Sequence, residues 1–125
     1  MKLLGELFIL DQTVETENGF VAELQTNPAH AIYAAHFPGN PITPGVCIIQ
    51  IANELLEDRL DKRLYLNTIK NVKFLSVVIP EVGKKLKYVF SGMADTETGY
   101  KTQVVVSDET MVYAKMSLIF AYEPQ

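Results

Sequence analysis

The sequence predicts an α+β fold in which a curved antiparallel sheet wraps around one long helix. Three observations favour this fold: an apolar segment without proline or glycine from Val46 to about Leu60, two segments of alternating polarity before it, and about four after it. With 125 residues, 48% of them hydrophobic, the chain is long enough to bury a sizeable core. We therefore expect a single domain over residues 1–125.

The strand segments are bounded by turn residues. FILDQTVET and FVAELQT, within residues 6–26, predict two strands joined by a turn at ENG. NPAHAIYAAHFPGNP predicts a loop with one helical turn over 29–35, because prolines bracket it. After Tyr65 we expect strands separated by turns at PEVGK, TETG and DET: TIKNVKFLSVVI, KKLKYVFSGMAD, YKTQVVVSD and MVYAKMSLIFAY.

The predicted helix begins with good start signals. Thr43 is a suitable N-cap, and Pro44 suits the first helical position. Apolar residues cover most of the circumference, which predicts a helix surrounded by other structure on nearly all sides. Four residues leave one narrow polar stripe: Gln50, Asn53, Glu54 and Glu57.

Composition excludes several classes of protein. The single cysteine, Cys47, rules out an internal disulfide and favours a reducing, cytoplasmic setting. The N-terminal residues lack the long apolar region of a signal peptide, and no segment approaches the ~20 apolar residues of a membrane span. A net charge of −4 argues against nucleic-acid binding. His30 and His36 have no matching ligands nearby, so we expect no metal site.

The charge is unevenly distributed. Residues 59–87 carry eight cationic side chains and two carboxylates, a local balance of +6 that leaves −10 for the rest. This segment is either a set of solvated element edges or a docking patch for an acidic partner or a phosphate-bearing substrate.

His36 is the first candidate for chemistry. Prolines and glycines follow it closely, which restricts the backbone and preorganises the loop. Imidazole loses its proton near neutral pH, as a general base requires.

Gly45 is the second candidate, because it lies in the first turn of the predicted helix. Backbone N–H groups there have no partner within the helix, and a residue without a Cβ lets a ligand oxygen approach closely. The helix dipole would also stabilise a developing enolate. Alternatively, Gly45 only eases a tight turn. A base beside such an oxyanion hole suits removal of a proton next to a thioester carbonyl.

The stretch HFPGNPITPGV, residues 36–46, closely resembles the HFPGxPxxPG signature of the 3-hydroxyacyl-acyl-carrier-protein dehydratases, the FabZ-type hotdog-fold family. All seven fixed positions of that signature are present at the same spacing and precede an apolar helix. IKNVKFLSVVIP also resembles a later strand of the family that carries a basic residue followed by phenylalanine, here Lys73 and Phe74.

The resemblance implies a hotdog dimer, or a larger assembly of dimers, with two active sites at the interface. His36 would be the base, and the N–H of Gly45 would bind the thioester carbonyl. The substrate would be a 3-hydroxyacyl thioester on acyl carrier protein, and the product a trans-2-enoyl thioester, with no metal or redox cofactor. Two further sets are implied, the substrate contacts Tyr33, Phe37, Pro44 and Val46 and the carrier-docking residues Lys70, Lys73, Lys84, Lys85 and Lys87.

Gln50 departs from the family pattern. The resemblance implies that a carboxylate on the partner subunit's central helix completes each site and handles the proton of the departing hydroxyl, and in the family it lies fourteen residues after the histidine, which is position 50 here. Glutamine can hold a hydroxyl or a water but has no proton to give. Three alternatives stay open. Glu54, about 6 Å further along the helix, could supply the proton or be only a solvated or interface carboxylate. A related hotdog subunit could supply a glutamate in a heterodimer, or the protein could be a hotdog thioesterase.

Overall fold

The computed structural model describes residues 2–122, which form one antiparallel sheet and two helices. In chain order the elements are β1 (Phe8–Thr16), β2 (Gly19–Thr26), α1 (Ile32–Ala35), α2 (Gly45–Leu60), β3 (Leu64–Phe74), β4 (Lys85–Asp95), β5 (Gly99–Ser107) and β6 (Val112–Tyr122). The six strands lie in the order β1-β2-β4-β5-β6-β3, so β1 and β3 are the two edges of this sheet. This is the predicted α+β arrangement.

The core lies between α2 and one face of the sheet. Alternate residues of β2 and β4 are buried, as a period of two requires of strands with one covered face. The rings of Phe20 and Phe90, cross-strand partners, stack with centroids 4.3 Å apart. The hydroxyl of Tyr88 donates to the carbonyl of Ile48 on α2 at 2.9 Å, which fixes the helix against β4.

Two predicted boundaries were wrong in β3. The strand starts at Leu64 instead of residue 68, and it ends at Phe74, whereas strand was expected as far as 79. Beyond Phe74 the N–H groups of Leu75 and Ser76 both donate to the carbonyl of Tyr113. The carbonyl of Val78 then accepts the N–H of Thr43 at 2.9 Å, so this segment runs to the entrance of α2.

The helix is less completely covered than its composition predicted. Val46 is 75% exposed, while Ile51, Leu55 and Leu56 are fully or almost fully buried. Within residues 2–122 no helix is long and apolar enough to cross a membrane.

Candidate active site

The loop that carries His36 is held by its own backbone. α1 ends at Ala35, and His36 is its C-cap. The N–H of His36 donates to the carbonyl of Ile32 at 2.9 Å, and its carbonyl accepts the N–H of Ile42 at 3.1 Å. Phe37 and Asn40 exchange two backbone hydrogen bonds around a turn. The peptide bond between His36 and Phe37 is cis, and their rings stack with centroids 4.1 Å apart. The half-buried imidazole is therefore presented from a defined backbone.

The entrance of α2 differs from the prediction by one residue. Pro44, with extended backbone angles, is the N-cap, and Gly45 is the first helical residue. The prediction of Thr43 as the N-cap was wrong, because the Thr43 hydroxyl forms a 2.8 Å hydrogen bond with the Tyr33 hydroxyl instead. Tyr33 is only 5% exposed, and burial raises the pKa of its phenol. Its position ties α1 to the helix entrance, and its contact with a substrate stays a prediction.

Gly45 is covered by the ring of Phe74 from the end of β3. A Cβ at position 45 would lie 2.7 Å from Cζ and 2.9 Å from Cε2 of Phe74, which is closer than real contacts allow. The absence of a side chain at Gly45 thus permits the ring to lie against the first turn of α2. The sequence contained a signal for Phe74, the Lys73-Phe74 pair, but no role was assigned to it.

Gln50 and Glu54 are joined by a hydrogen bond. Nε2 of Gln50 donates to Oε2 of Glu54 at 3.0 Å. Glu54 is a buried residue, 6% exposed, and its carboxylate also accepts the backbone N–H groups of Leu3 and Leu4, at 2.8 Å each to Oε1. Glu54 is thus buried and holds the N-terminal segment. An acid role for it stays a prediction.

A groove of about 670 Å³ runs beside this polar stripe of α2. Gln50, Asn53 and Glu54 line it from the helix, and Leu64 lines it from the start of β3. Among residues 2–122, Oδ1 of Asn53 is buried without a hydrogen-bond partner, an unusual state for a polar atom. Asn53 therefore carries a buried acceptor that none of the described residues satisfies.

The other predicted substrate contacts lie around the helix entrance. Phe37 is 46% and Val46 75% exposed, and Pro44 is half-buried. They present apolar surface near His36 and Gly45, as an acyl chain would require, and their roles stay predictions. Cys47 on the same helix turn is buried, and burial raises the pKa of its thiol, which disfavours a nucleophilic thiolate.

Four of the five lysines predicted to dock a carrier protein lie on two strands, and Lys84 immediately precedes β4. Lys70 and Lys73 lie on β3, Lys85 and Lys87 on β4, and Lys84 approaches the Tyr113 ring to 5.3 Å. Three of these lysines lie on one face of the sheet together with two further lysines: Lys73, Lys85 and Lys87, with Lys101 and Lys115. Lys73 on β3 pairs with Lys115 on β6, and the register from β6 through β5 to β4 carries the same face across to Lys87. Lys101 and Lys115 were missed because they lie outside residues 59–87.

The chain offers an imidazole in the loop, a helix N-terminus at Gly45 and, further along α2, an amide beside a carboxylate. The groove is lined by the amide and the carboxylate but by neither His36 nor Gly45. Within the described residues no group of three or more His, Cys, Asp or Glu side chains could hold a metal ion. These groups can exchange protons with a ligand and bind an oxyanion, whereas a nucleophilic attack has no activated candidate among them.

Comparison with protein families gives a match over most of the chain. The family model described as ApeI-like, ApeI dehydratase, matches residues 12–115. The 3-hydroxyacyl-acyl-carrier-protein dehydratase FabZ of Lactobacillus helveticus is 34% identical over 94 residues, 70% of this chain and 64% of that protein. The protein of the same name from Pediococcus pentosaceus is 30% identical over 122 residues, 90% of this chain and 82% of its own.

Solved structures share the fold. The dehydratase heterocomplex ApeI:P from Xenorhabdus doucetiae matches with a TM-score of 0.71 and 17% identity, over 90% of this chain and 96% of that chain. A hypothetical thioesterase of Streptococcus pneumoniae matches with a TM-score of 0.64 and 8% identity, over 98% of this chain and 95% of that chain. The predicted hotdog fold is thereby confirmed.

Proposed function

Because this chain belongs to the ApeI-like dehydratase family, we propose that it is a lyase that converts a 3-hydroxyacyl thioester to a trans-2-enoyl thioester and water. The observation that carries the proposal is the entrance of α2, where a rigid loop presents His36 and a bare helical turn begins at Gly45. The substrate carrier is acyl carrier protein, which the names of the relatives include.

In the proposed reaction His36 removes the proton from C2 of the substrate. The thioester oxygen, which gains negative charge, accepts the N–H of Gly45 at the positive end of the helix. The hydroxyl leaves C3 with a proton, so one proton moves from C2 to the departing oxygen and none is gained or lost. Gln50 holds this hydroxyl or a water. The proton reaches the hydroxyl from Glu54 or from a carboxylate of a second subunit.

A second hotdog subunit is the proposed partner. The chain exposes a large apolar surface along β3 and the segment after it: Leu66 37%, Ile69 44%, Phe74 48%, Leu75 54%, Val77 51% and Val82 92%. Apolar exposure on this scale marks an interaction surface. The edge strand β3 also offers backbone groups for pairing with another strand. A homodimer or a heterodimer with a related subunit would cover this surface, and the ApeI:P neighbour is itself called a heterocomplex.

The proposed carrier-docking surface is the basic face of the sheet. Lys73, Lys85 and Lys87 share this face, and Lys70 and Lys84 lie at neighbouring positions. An acyl carrier protein is acidic, so its encounter with these residues should weaken as salt concentration rises. A cytoplasmic location also stays a prediction.

The test is turnover of a 3-hydroxyacyl-carrier-protein thioester, followed by the mass loss of water. We expect slow dehydration by the chain alone and faster dehydration when a related hotdog subunit with a helix glutamate is added, since acid assistance contributes about 10²–10⁴ in rate. Release of free thiol would select the thioesterase alternative instead. Absence of dehydration both alone and with such a partner would reject the proposed function.

A further inference from the structure

Both carboxylate oxygens of Glu54 accept hydrogen bonds from donors of this chain. The residue is 6% exposed, and Leu3 donates its N–H to Oε1 at 2.8 Å and to Oε2 at 3.0 Å. Leu4 donates its N–H to Oε1 at 2.8 Å. Backbone N–H groups only donate, so both oxygens of Glu54 act as acceptors in these contacts.

The acceptor at Glu54 determines which end of the Gln50 amide faces it. A side-chain amide has a donor end and an acceptor end of nearly equal shape, and the hydrogen-bond network decides between them. Because the carboxylate only accepts, Nε2 of Gln50 must point to it, and the two atoms are 3.0 Å apart. Oε1 of Gln50 is consequently the atom that faces away from Glu54, in a half-buried residue that lines the groove.

We infer that Glu54 is a positioning residue that turns Oε1 of Gln50, a hydrogen-bond acceptor, toward the groove, and that it acts on the substrate through Gln50. This inference rests on the proposed function. An amide in this orientation accepts the hydrogen of a substrate hydroxyl and holds it, but it donates nothing to the departing oxygen. Glu54, whose two oxygens already accept four hydrogen bonds, is then not the source of the proton.

A substitution at Glu54 separates this role from that of a general acid. In Glu54→Gln the new amide oxygen still accepts from Leu3 and Leu4, so the fold is kept, but its Nε2 now faces Gln50 and reverses that amide. We expect kcat for dehydration to fall by about tenfold, the scale of one hydrogen bond, with KM almost unchanged. Loss of a general acid would instead cost about 100-fold or more.

A double-mutant cycle makes the dependence on Gln50 explicit. Gln50→Met removes the amide at similar length, and in that background Glu54→Gln should change kcat no further, because Gln50 no longer transmits the effect. The control is Glu15→Gln on β1, whose carboxylate pairs with Arg59 away from this groove and which should leave kcat unchanged. An equal loss from Glu54→Gln in both backgrounds would overturn the inference.

Hydrogen exchange of the side-chain amide, measured by NMR, tests the orientation without any turnover. In the natural protein one of the two Gln50 Nε2 protons should exchange slowly, and this protection should be lost in Glu54→Gln. If both protons exchange freely in the natural protein, the inference is wrong. If the protein and its mixture with a glutamate-bearing subunit do not dehydrate the substrate, the proposed function fails, and the exchange rates alone decide the orientation.

Discussion

The two edge strands of the sheet are similarly exposed but differ in chemistry. On β1 the exposed side chains are mostly polar, and several are paired: Gln25 donates to Asp11 at 2.9 Å, and Glu15 forms an ion pair with Arg59. On β3 and the segment after it, Leu66, Ile69, Phe74, Leu75 and Val77 are each more than a third exposed. Polar and charged side chains discourage pairing of an edge strand, whereas exposed apolar ones favour it.

This difference separates a stabilising side of the molecule from a functional side. β1 completes the sheet far from the helix entrance in strand order, while β3 brings Phe74 onto Gly45 and borders the groove at Leu64. Changes on the β3 side should therefore affect turnover and assembly, and changes on the β1 side should affect folding stability. Matched pairs of variants test this division.

The largest expected difference is between the two histidines. His36→Gln should lower kcat for dehydration by about 10²–10⁴, because the variant has no general base. The control is His30→Gln, since Nδ1 of His30 accepts the N–H of Ile32 at 3.1 Å within the loop, and its kcat should stay within about threefold. Turnover by His36→Gln at the natural rate would contradict the proposed mechanism.

Two glycines test the same division between activity and stability. In Gly45→Ala the Cβ meets the outer end of the Phe74 ring, which is 48% exposed and can move, so stability should change little. The close approach to the Gly45 N–H is lost, and kcat should fall by about 10²-fold, the scale of an oxyanion donor.

Gly19→Ala, at the start of β2 beside the β1 edge, is the counterpart. Its Cβ would lie 2.1 Å from the backbone carbonyl oxygen of Phe90, which cannot move without disturbing the sheet. We expect a loss of about 1–3 kcal/mol in the free energy of unfolding with little change in kcat. Urea unfolding and steady-state kinetics of both alanine variants measure the contrast. Equal stability losses for the two would show that the ring of Phe74 is not free to move.

Replacing one exposed apolar residue by lysine on each edge strand tests which strand forms the dimer interface. Ile69 on β3 and Val14 on β1 are 44% and 47% exposed, so the two substitutions start from similar surroundings. Ile69→Lys should weaken the dimer by at least about tenfold, because lysine on an edge discourages strand pairing, and Val14→Lys should leave it unchanged. Sedimentation at a series of protein concentrations gives both values. Equal association of the two variants would show that β3 is not the interface.

The smallest effect is expected at the turn between β5 and β6. The hydroxyl of Tyr113 donates to Asp108, and this bond, with those from Thr110 and Met111, lowers the pKa of Asp108 from 3.8 to about 2. A lowered carboxyl pKa contributes stability that is present above about pH 4 and is lost as the pH falls through about 2.

Asp108→Asn should therefore melt below the natural protein at neutral pH by about 2 °C, a small shift because the group is partly solvated. The difference should narrow as the pH falls from about 4 toward 2. Thermal unfolding between pH 2 and 7 gives the comparison, and a difference that is independent of pH would assign the effect to packing.

Much of the architecture followed from local patterns. Alternation predicted β2 and β4 closely, and the residues of PEVGK form a turn in which Lys84 donates its N–H to the carbonyl of Glu81 at 3.1 Å. The long segment without proline or glycine predicted α2, which ends at Leu60 as expected. These features depend on residues that are neighbours in the sequence, so they can be predicted from the sequence alone.

The errors arose where a distant residue competes for a polar group. Threonine is a residue type typical of N-caps, but the hydroxyl of Thr43 is hydrogen-bonded to Tyr33, and the helix begins one residue later than expected. β3 was expected to continue past Phe74, but Tyr113 and the helix entrance take the backbone bonds of the following residues. No local sequence pattern indicates which of two available partners forms the hydrogen bond.

By itself the sequence determined the order of strands and helix, the rigid loop around His36 and the position of Gly45 at the start of α2, because spacing and backbone preferences are local. Only the tertiary structure decided the surroundings of these residues. It placed Phe74 on Gly45, and it brought the N-terminal residues Leu3 and Leu4 to Glu54, about fifty positions away. A carboxylate on a polar stripe has no preferred partner until the fold supplies one, and here the partners that arrived are backbone donors and Gln50.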